Sequence, residues 1–195
     1  MVNNTLGLLE DEKPVAEKMK FIWGKNGDES NSSVFIPTTE NAKGKKCWYW
    51  LQDGICLGNS VYIIPMLVED NPDGNEGFKF RAIGVSMIRI PVGENGIELD
   101  RHTQVDAPLF YADGERNLFF GAGIMPNTIE SGAPAPDGYI YIYGRDHADE
   151  IKLIVARVKA GDFGNFGEWR FWDGTGWSDN MADTAQLGRG GPELS

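Results

Sequence analysis

Cysteine and histidine are scarce, with two of each in 195 residues. Cys47 and Cys56 have no second pair and no paired histidine spacing, so a tetrahedral zinc site has no support. Two buried thiols are expected, with a bridge between neighbouring strands as the alternative. No apolar run approaches the roughly 18–20 residues of a membrane span, which excludes a membrane partner for a helix. Residues 1–12 lack the basic and apolar stretches of a signal peptide, so no leader is expected in this chain. Cations are in deficit: 18 Lys and Arg against 29 Asp and Glu leave a net charge of −11. A phosphate backbone would be repelled, and no Lys/Arg stripe offsets this locally, so nucleic acid is not an expected partner. The acidic surface serves solubility and suits a neutral or cationic ligand. Also missing are a Gly-x-Ser-x-Gly elbow, a phosphate loop and His-Glu-x-x-His, which removes serine-hydrolase, nucleotide and zinc-protease readings.

What is present is turn-rich and aromatic-rich. Glycine numbers 25 and proline 10, while 41% apolar and 11% aromatic content exclude a disordered tail. After one helical turn within residues 13–20, the apolar segments are short, β-branched or aromatic, and closed by Gly, Asp, Asn or Pro. Strands are expected at 20–24, 33–36, 47–51, 55–57, 61–68, 78–90, 118–125, 139–143, 152–158 and 168–172. The fold class is therefore all-β. Tyr139-Ile-Tyr-Ile-Tyr143 is bulky on both faces, as a strand inside a stack of sheets must be.

The strand order recurs. Trp48 to Leu57 corresponds to Phe119 to Met125, Val61 to Ile64 to Tyr139 to Ile142, and Gly84 to Pro91 to Leu153 to Val158. Arg89 and Arg157 lie 68 residues apart, and Tyr62 and Tyr141 lie 79 apart, so one unit is about 70 residues of four antiparallel strands. Such a unit is a propeller blade with long loops; a two-sheet sandwich explains the alternation but not the recurring order. The chain then divides into 21–46 (remnant of an earlier blade), 47–117 and 118–180 (two blades), and 181–195 (opening of another). Too few blades are present to close a ring, so the chain is expected to be a piece of a longer protein, or to self-associate through open blade edges.

Trp50-Leu-Gln-Asp-Gly54, Val61-Tyr-Ile-Ile64, Asp137-Gly-Tyr-Ile-Tyr-Ile-Tyr-Gly144, Ala156-Arg-Val158, Trp169-Arg-Phe-Trp-Asp-Gly174 and Trp177 follow in this order. The set resembles the bacterial five-bladed β-propellers of domain of unknown function 4185 and their relatives, over most of residues 47–177. The resemblance implies a partial five-bladed propeller of two to three blades, akin to glycosidase propellers, some of which are extracytoplasmic endo-arabinanases. It implies a glycoside hydrolase-like protein acting on bacterial or plant polysaccharide outside the cytoplasm, with a carbohydrate ligand. The alternative is a non-catalytic carbohydrate-binding or scaffold propeller. The family's opening and closing blades have no counterpart here, so a complete catalytic set is not implied.

Glycoside hydrolysis uses two carboxyl groups flanking the bond. Asp53 is the first candidate, because it follows Trp48-Tyr-Trp50 on an inner strand, where rings raise a carboxyl pKa and Trp48 or Trp50 offers a flat face to a sugar. The plainer reading is a turn aspartate in Asp53-Gly54. Asp146 is the second candidate, in an expected loop beside Arg145 and His147, which would hold a substrate hydroxyl. A solvated hairpin loop is the plainer reading there. His102 and Asp106 read as loop residues, Asp113-Gly114 and Asp137-Gly138 as hairpin turns, and Trp169, Phe171, Trp172 and Trp177 as packing of an outer strand. Arg89 and Arg157 are expected to pair with carboxylates between blades. Segment 70–76 carries oxygen ligands without the spacing of a calcium loop, so no cofactor is expected and calcium is only the lesser alternative.

Overall fold

A computed structural model describes residues 2–9, 11–73, 79–147 and 150–189. Among these residues there is no α-helix, only single turns of 3-10 helix. The chain opens with β1 (Leu6–Leu9), β2 (Met19–Ile22), β3 (Gly24–Lys25) and β4 (Asn31–Ser32), which form two small hairpin ladders. Then come β5 (Cys47–Trp50), β6 (Gly54–Leu57), β7 (Ser60–Ile63), β8 (Met66–Asp70), β9 (Phe80–Gly93), β10 (Gly96–Ile97) and β11 (Thr103–Ala107), all in one sheet. The second large sheet holds β12 (Phe110–Ala112), β13 (Asn117–Asn127), β14 (Tyr139–His147), β15 (Ile151–Lys159), β16 (Arg170–Trp172), β17 (Trp177–Ser178) and β18 (Gly188–Arg189).

The first large sheet is a four-stranded antiparallel meander whose first two strands are each broken once. β5 pairs with β8 and β6 with β7, β9 pairs along both β7 and β8, and β11 pairs with β9 on its other side. Pro65 accounts for one break, since its ring nitrogen cannot donate to a ladder. The second sheet runs β13-β14-β15-β16 as an unbroken meander, flanked by β12 and β17. The four positions of the two meanders correspond as the sequence repeat predicts, with β11 and β16 in fourth place.

Burial distinguishes this arrangement from a two-layer sandwich, because the first sheet is covered on both faces. Tyr49, Ile63, Leu67, Ile88 and Ile90 close against Phe35 and Ala42 of the preceding segment. Val85 and Met87 join Phe120, Ile140, Ile142, Ile154 and Val158 of the second sheet. Each such aliphatic residue withdrawn from water contributes roughly 1.5–3 kcal/mol. The result is a stack of layers, an all-β architecture consistent with part of a propeller.

Several details differ from the sequence reading. Residues 33–36 are not a strand; Phe35 is fully buried with its backbone held by the Asn4 side chain. The turn in 13–20 shrinks to Ala16–Lys18. Thr103–Ala107, read as loop, is a strand, and Leu6–Leu9 and Phe110–Ala112 are strands that the reading did not include. Cys47 and Cys56 are free, but Cys47 is half-buried and Cys56 exposed, so they are not buried thiols. Arg89 donates to the Ser60 hydroxyl and Arg157 lies between the rings of Tyr139 and Trp177, so among the described residues neither pairs with a carboxylate. Asp113 and Asp137 do cap turns, accepting from backbone amides beside Gly114 and Gly138 at positive φ. Residues 74–76 of the calcium segment, Phe78, and 190–195 of the last unit lie outside the described residues.

Candidate functional site

A cavity of about 550 Å³ lies between the two large sheets. Trp50 and its ladder partner Met66 form part of one wall, with Phe80, Arg81 and Ala82 from the start of β9. The other wall is Asn117 and Phe119 of β13, Arg145 and His147 of β14, and Ile151 of β15. Phe119 is the ladder partner of Arg145, and Ile151 that of His147, so strand pairing sets this wall.

Trp50 is 37% exposed, and its ring meets Phe80 edge-on with centroids 4.2 Å apart. An indole held in this way is a fixed apolar plate at little entropic cost. The imidazole of His147 rests on Phe119, with ring centroids 5.0 Å apart. Its Nε2 and the Asn117 Oδ1 are buried polar atoms that find no hydrogen-bond partner among the described residues. Leaving such atoms unpaired costs about 1–3 kcal/mol each, and both belong to residues of the cavity wall. Burial first, and then the Arg145 charge, hold the His147 pKa below its ordinary value, with Asp146 opposing. The imidazole is therefore neutral near pH 7, with one nitrogen able to donate and the other to accept.

This shift predicts a pH dependence. Below about 6.5 the unfolded chain takes up the imidazole proton while the folded chain resists it, so protonation favours unfolding. Stability is expected to fall as pH drops through that window, and His147→Gln is expected to flatten the fall. Urea unfolding of both proteins at a series of pH values measures it; equal slopes would refute it.

Of the residues singled out from the sequence, Trp50, Arg145 and His147 meet in this cavity. Trp48, two residues earlier on the same strand, is half-buried outside its lining. Asp146 is separated from the other two by strand alternation. The segment 145–147 is the end of β14 and not a loop, and burial along the strand alternates, leaving Asp146 fully buried on the opposite face. There its Oδ2 accepts from Arg116 at 2.7 and 3.0 Å and from Gln186 at 2.8 Å. Asp53 is exposed between β5 and β6, and its Oδ1 accepts from Gly54 at 2.8 Å while its Oδ2 accepts from the Ile124 amide at 2.7 Å. Its side chain thus bonds the second sheet and is not part of the cavity lining.

Phe80, Arg81 and Asn117 were not singled out. Phe80 carries a legible signal, an aromatic at the start of an alternating strand, whereas nothing near Asn117 marks it. Among the described residues, no three His, Cys, Asp or Glu side chains converge as a metal site would require.

The stacked four-stranded meanders define an all-β, partly propeller-like protein. The chain belongs to the family described as domain of unknown function 5005, whose model matches residues 1–192. No curated protein matches the sequence. Among solved structures, a protein from Bacteroides ovatus ATCC 8483 described as a "putative hydrolase" has a similar fold, with a TM-score of 0.54 and 16% identity. The match covers 87% of this chain and 43% of that one, so this chain spans less than half the length of that structure.

Proposed function

We propose that the chain is a carbohydrate-binding part of a larger propeller-like protein, and that the cavity between its sheets holds the sugar. The observation that carries this reading is a fixed, partly exposed indole in a cavity whose wall also holds Asn117 and His147, each with a buried polar atom that lacks a partner among the described residues. A sugar ring offers the same combination, an apolar face of C–H groups and a rim of hydroxyls that both donate and accept. A glycan ligand also agrees with a location outside the cytoplasm, where polysaccharide is met.

A hydrolytic form of the reading draws on the description of the Bacteroides ovatus protein. It would assign the acid pair to Asp53 and Asp146. Among the described residues, however, no carboxylate lines the cavity, and Asp146 is sealed by Arg116 and Gln186. Binding without turnover is the form this chain's own residues support.

The test is calorimetric titration with oligosaccharides from arabinan, galactan, xylan and pectin, alongside assays for released reducing ends. Binding is expected for at least one glycan, and Trp50→Ala, if folded by circular dichroism, is expected to weaken it about tenfold or more. No binding across the panel overturns the reading. Turnover that Asp53→Asn abolishes would favour the hydrolytic form.

A further inference from the structure

We infer that a second, smaller cavity binds an organic cation, the quaternary ammonium group of a small molecule. This cavity has a volume of about 190 Å³ and shares no lining residue with the one described above. Buried Leu109, Trp169 and Phe171 form its floor, half-buried Phe166 and Met181 its walls, and exposed Pro108, Asp179 and Asn180 its mouth. The Trp169 indole NH donates to the Phe163 carbonyl at 3.1 Å, and the Phe166 ring stands against that indole with centroids 6.0 Å apart. The aromatic lining is therefore held in place before any ligand arrives. Its volume is below the roughly 300–1,000 Å³ of a usual ligand site, so it suits a compact group and not an extended molecule.

Charge selects the occupant. Asp179 brings a carboxylate to the mouth, and no Lys, Arg or His is among the lining residues. Its neighbours in the loop satisfy one another: Ser178 and Asn180 donate to the two Asp183 carboxylate oxygens at 2.7 and 3.0 Å, and the Asn180 Oδ1 accepts from the Ala182 amide at 3.1 Å. Among the described residues the Asp179 carboxylate is left without a hydrogen bond or a cation. The scarcity of acceptors then decides which cation fits. A primary ammonium carries three donors, and burying it among rings with a carboxylate only at the mouth would leave donors unpaired. A quaternary ammonium has no N–H to satisfy, and its methyl groups pack on the faces of Phe166, Trp169 and Phe171 while the ring quadrupoles attract its charge. The net charge of −11 adds an attraction of the same sign at longer range.

The experiment is calorimetric titration of the full chain at low salt with choline and with its uncharged carbon isostere, neohexyl alcohol. Choline is expected to bind with a Kd of about 1 mM or tighter, and about tenfold or more tighter than the isostere, which has the same shape without the charge. Asp179→Asn removes the carboxylate at an exposed position, and Phe166→Leu removes a ring while keeping an apolar wall. Each variant, once shown to be folded by circular dichroism, is expected to weaken choline binding about threefold or more. Absence of choline binding, equal binding of choline and the isostere, or choline binding that neither variant weakens overturns the inference. None of these outcomes bears on the carbohydrate reading, which concerns the other cavity and is tested with other ligands.

Discussion

Replacing Arg116 by alanine is expected to cost about 3–5 kcal/mol of folding stability, because it strands a carboxylate in the interior. Asp146 is 0% exposed, and among the described residues its Oδ1 has no hydrogen-bond partner, so the hydrogen bonds to its carboxylate come through Oδ2. Arg116 supplies two of the three bonds to that oxygen, through Nε and one terminal nitrogen. The same guanidinium donates to the carbonyls of Ala182 and Thr184 at 3.3 and 2.8 Å. One side chain thus neutralises a buried charge and ties the segment after β17 to the second sheet. For a chain of this size the loss corresponds to a fall in Tm of roughly 6–20 °C. Arg116→Met together with Asp146→Leu is expected to recover most of it, since an apolar pair of similar volume removes the stranded charge. Thermal and urea unfolding of the single and double variants measure both. A single variant within about 1 kcal/mol of wild type would show that the pair is not what holds this charge.

The same pair explains what was and was not readable in the sequence. Arg145-Asp146-His147 is polar enough to read as a hairpin loop, and its three residues look like one constellation. The ladder continues through them because each finds a place on its own face: Arg145 and His147 toward the cavity, and Asp146 toward a cation 30 residues earlier in the chain. A partner so distant leaves no local trace. Thr103–Ala107 was missed for a related reason, since Gln104 and Asp106 bond polar groups of the segment before β5 and of β5 itself. Gln104 bonds Tyr49, Thr38 and the Ile36 carbonyl, while Asp106 accepts from the Asn41 amide. By contrast, the recurring order of strands was legible, because each meander is made from consecutive segments whose aromatic and β-branched residues must alternate to be covered on both faces. Trp50 was legible as a plate in a wall; the wall opposite, with Asn117 and Phe119, required the stacking of the two sheets.

Where the sheets meet, Gly121→Ala is expected to destabilise the protein by about 2–5 kcal/mol, combining backbone strain with overpacking. Gly121 has φ of +117°, a value that side chains rarely tolerate, and it opens the bulge at which the register of β13 against β14 shifts between Phe120 and Gly123. A Cβ added there would lie 2.6 Å from Ile64 Cγ2 and 3.1 Å from the Ile64 carbonyl oxygen. Ile64 cannot yield, because it is fully buried at the break between β7 and β8 and its amide is bonded to the Asp53 carbonyl. Asp53 in turn donates its amide to the Gly121 carbonyl and accepts from Ile124. The bulge, both strand breaks and Asp53 therefore form one joint between the sheets. Coupling follows from that geometry: Asp53→Ala removes the bond that positions β13, so adding it to Gly121→Ala should cost less than the two single losses together. Urea unfolding of the two single variants and the double closes this cycle. Strict additivity would mean that Asp53 and Gly121 act separately, and a silent Gly121→Ala would remove the joint altogether.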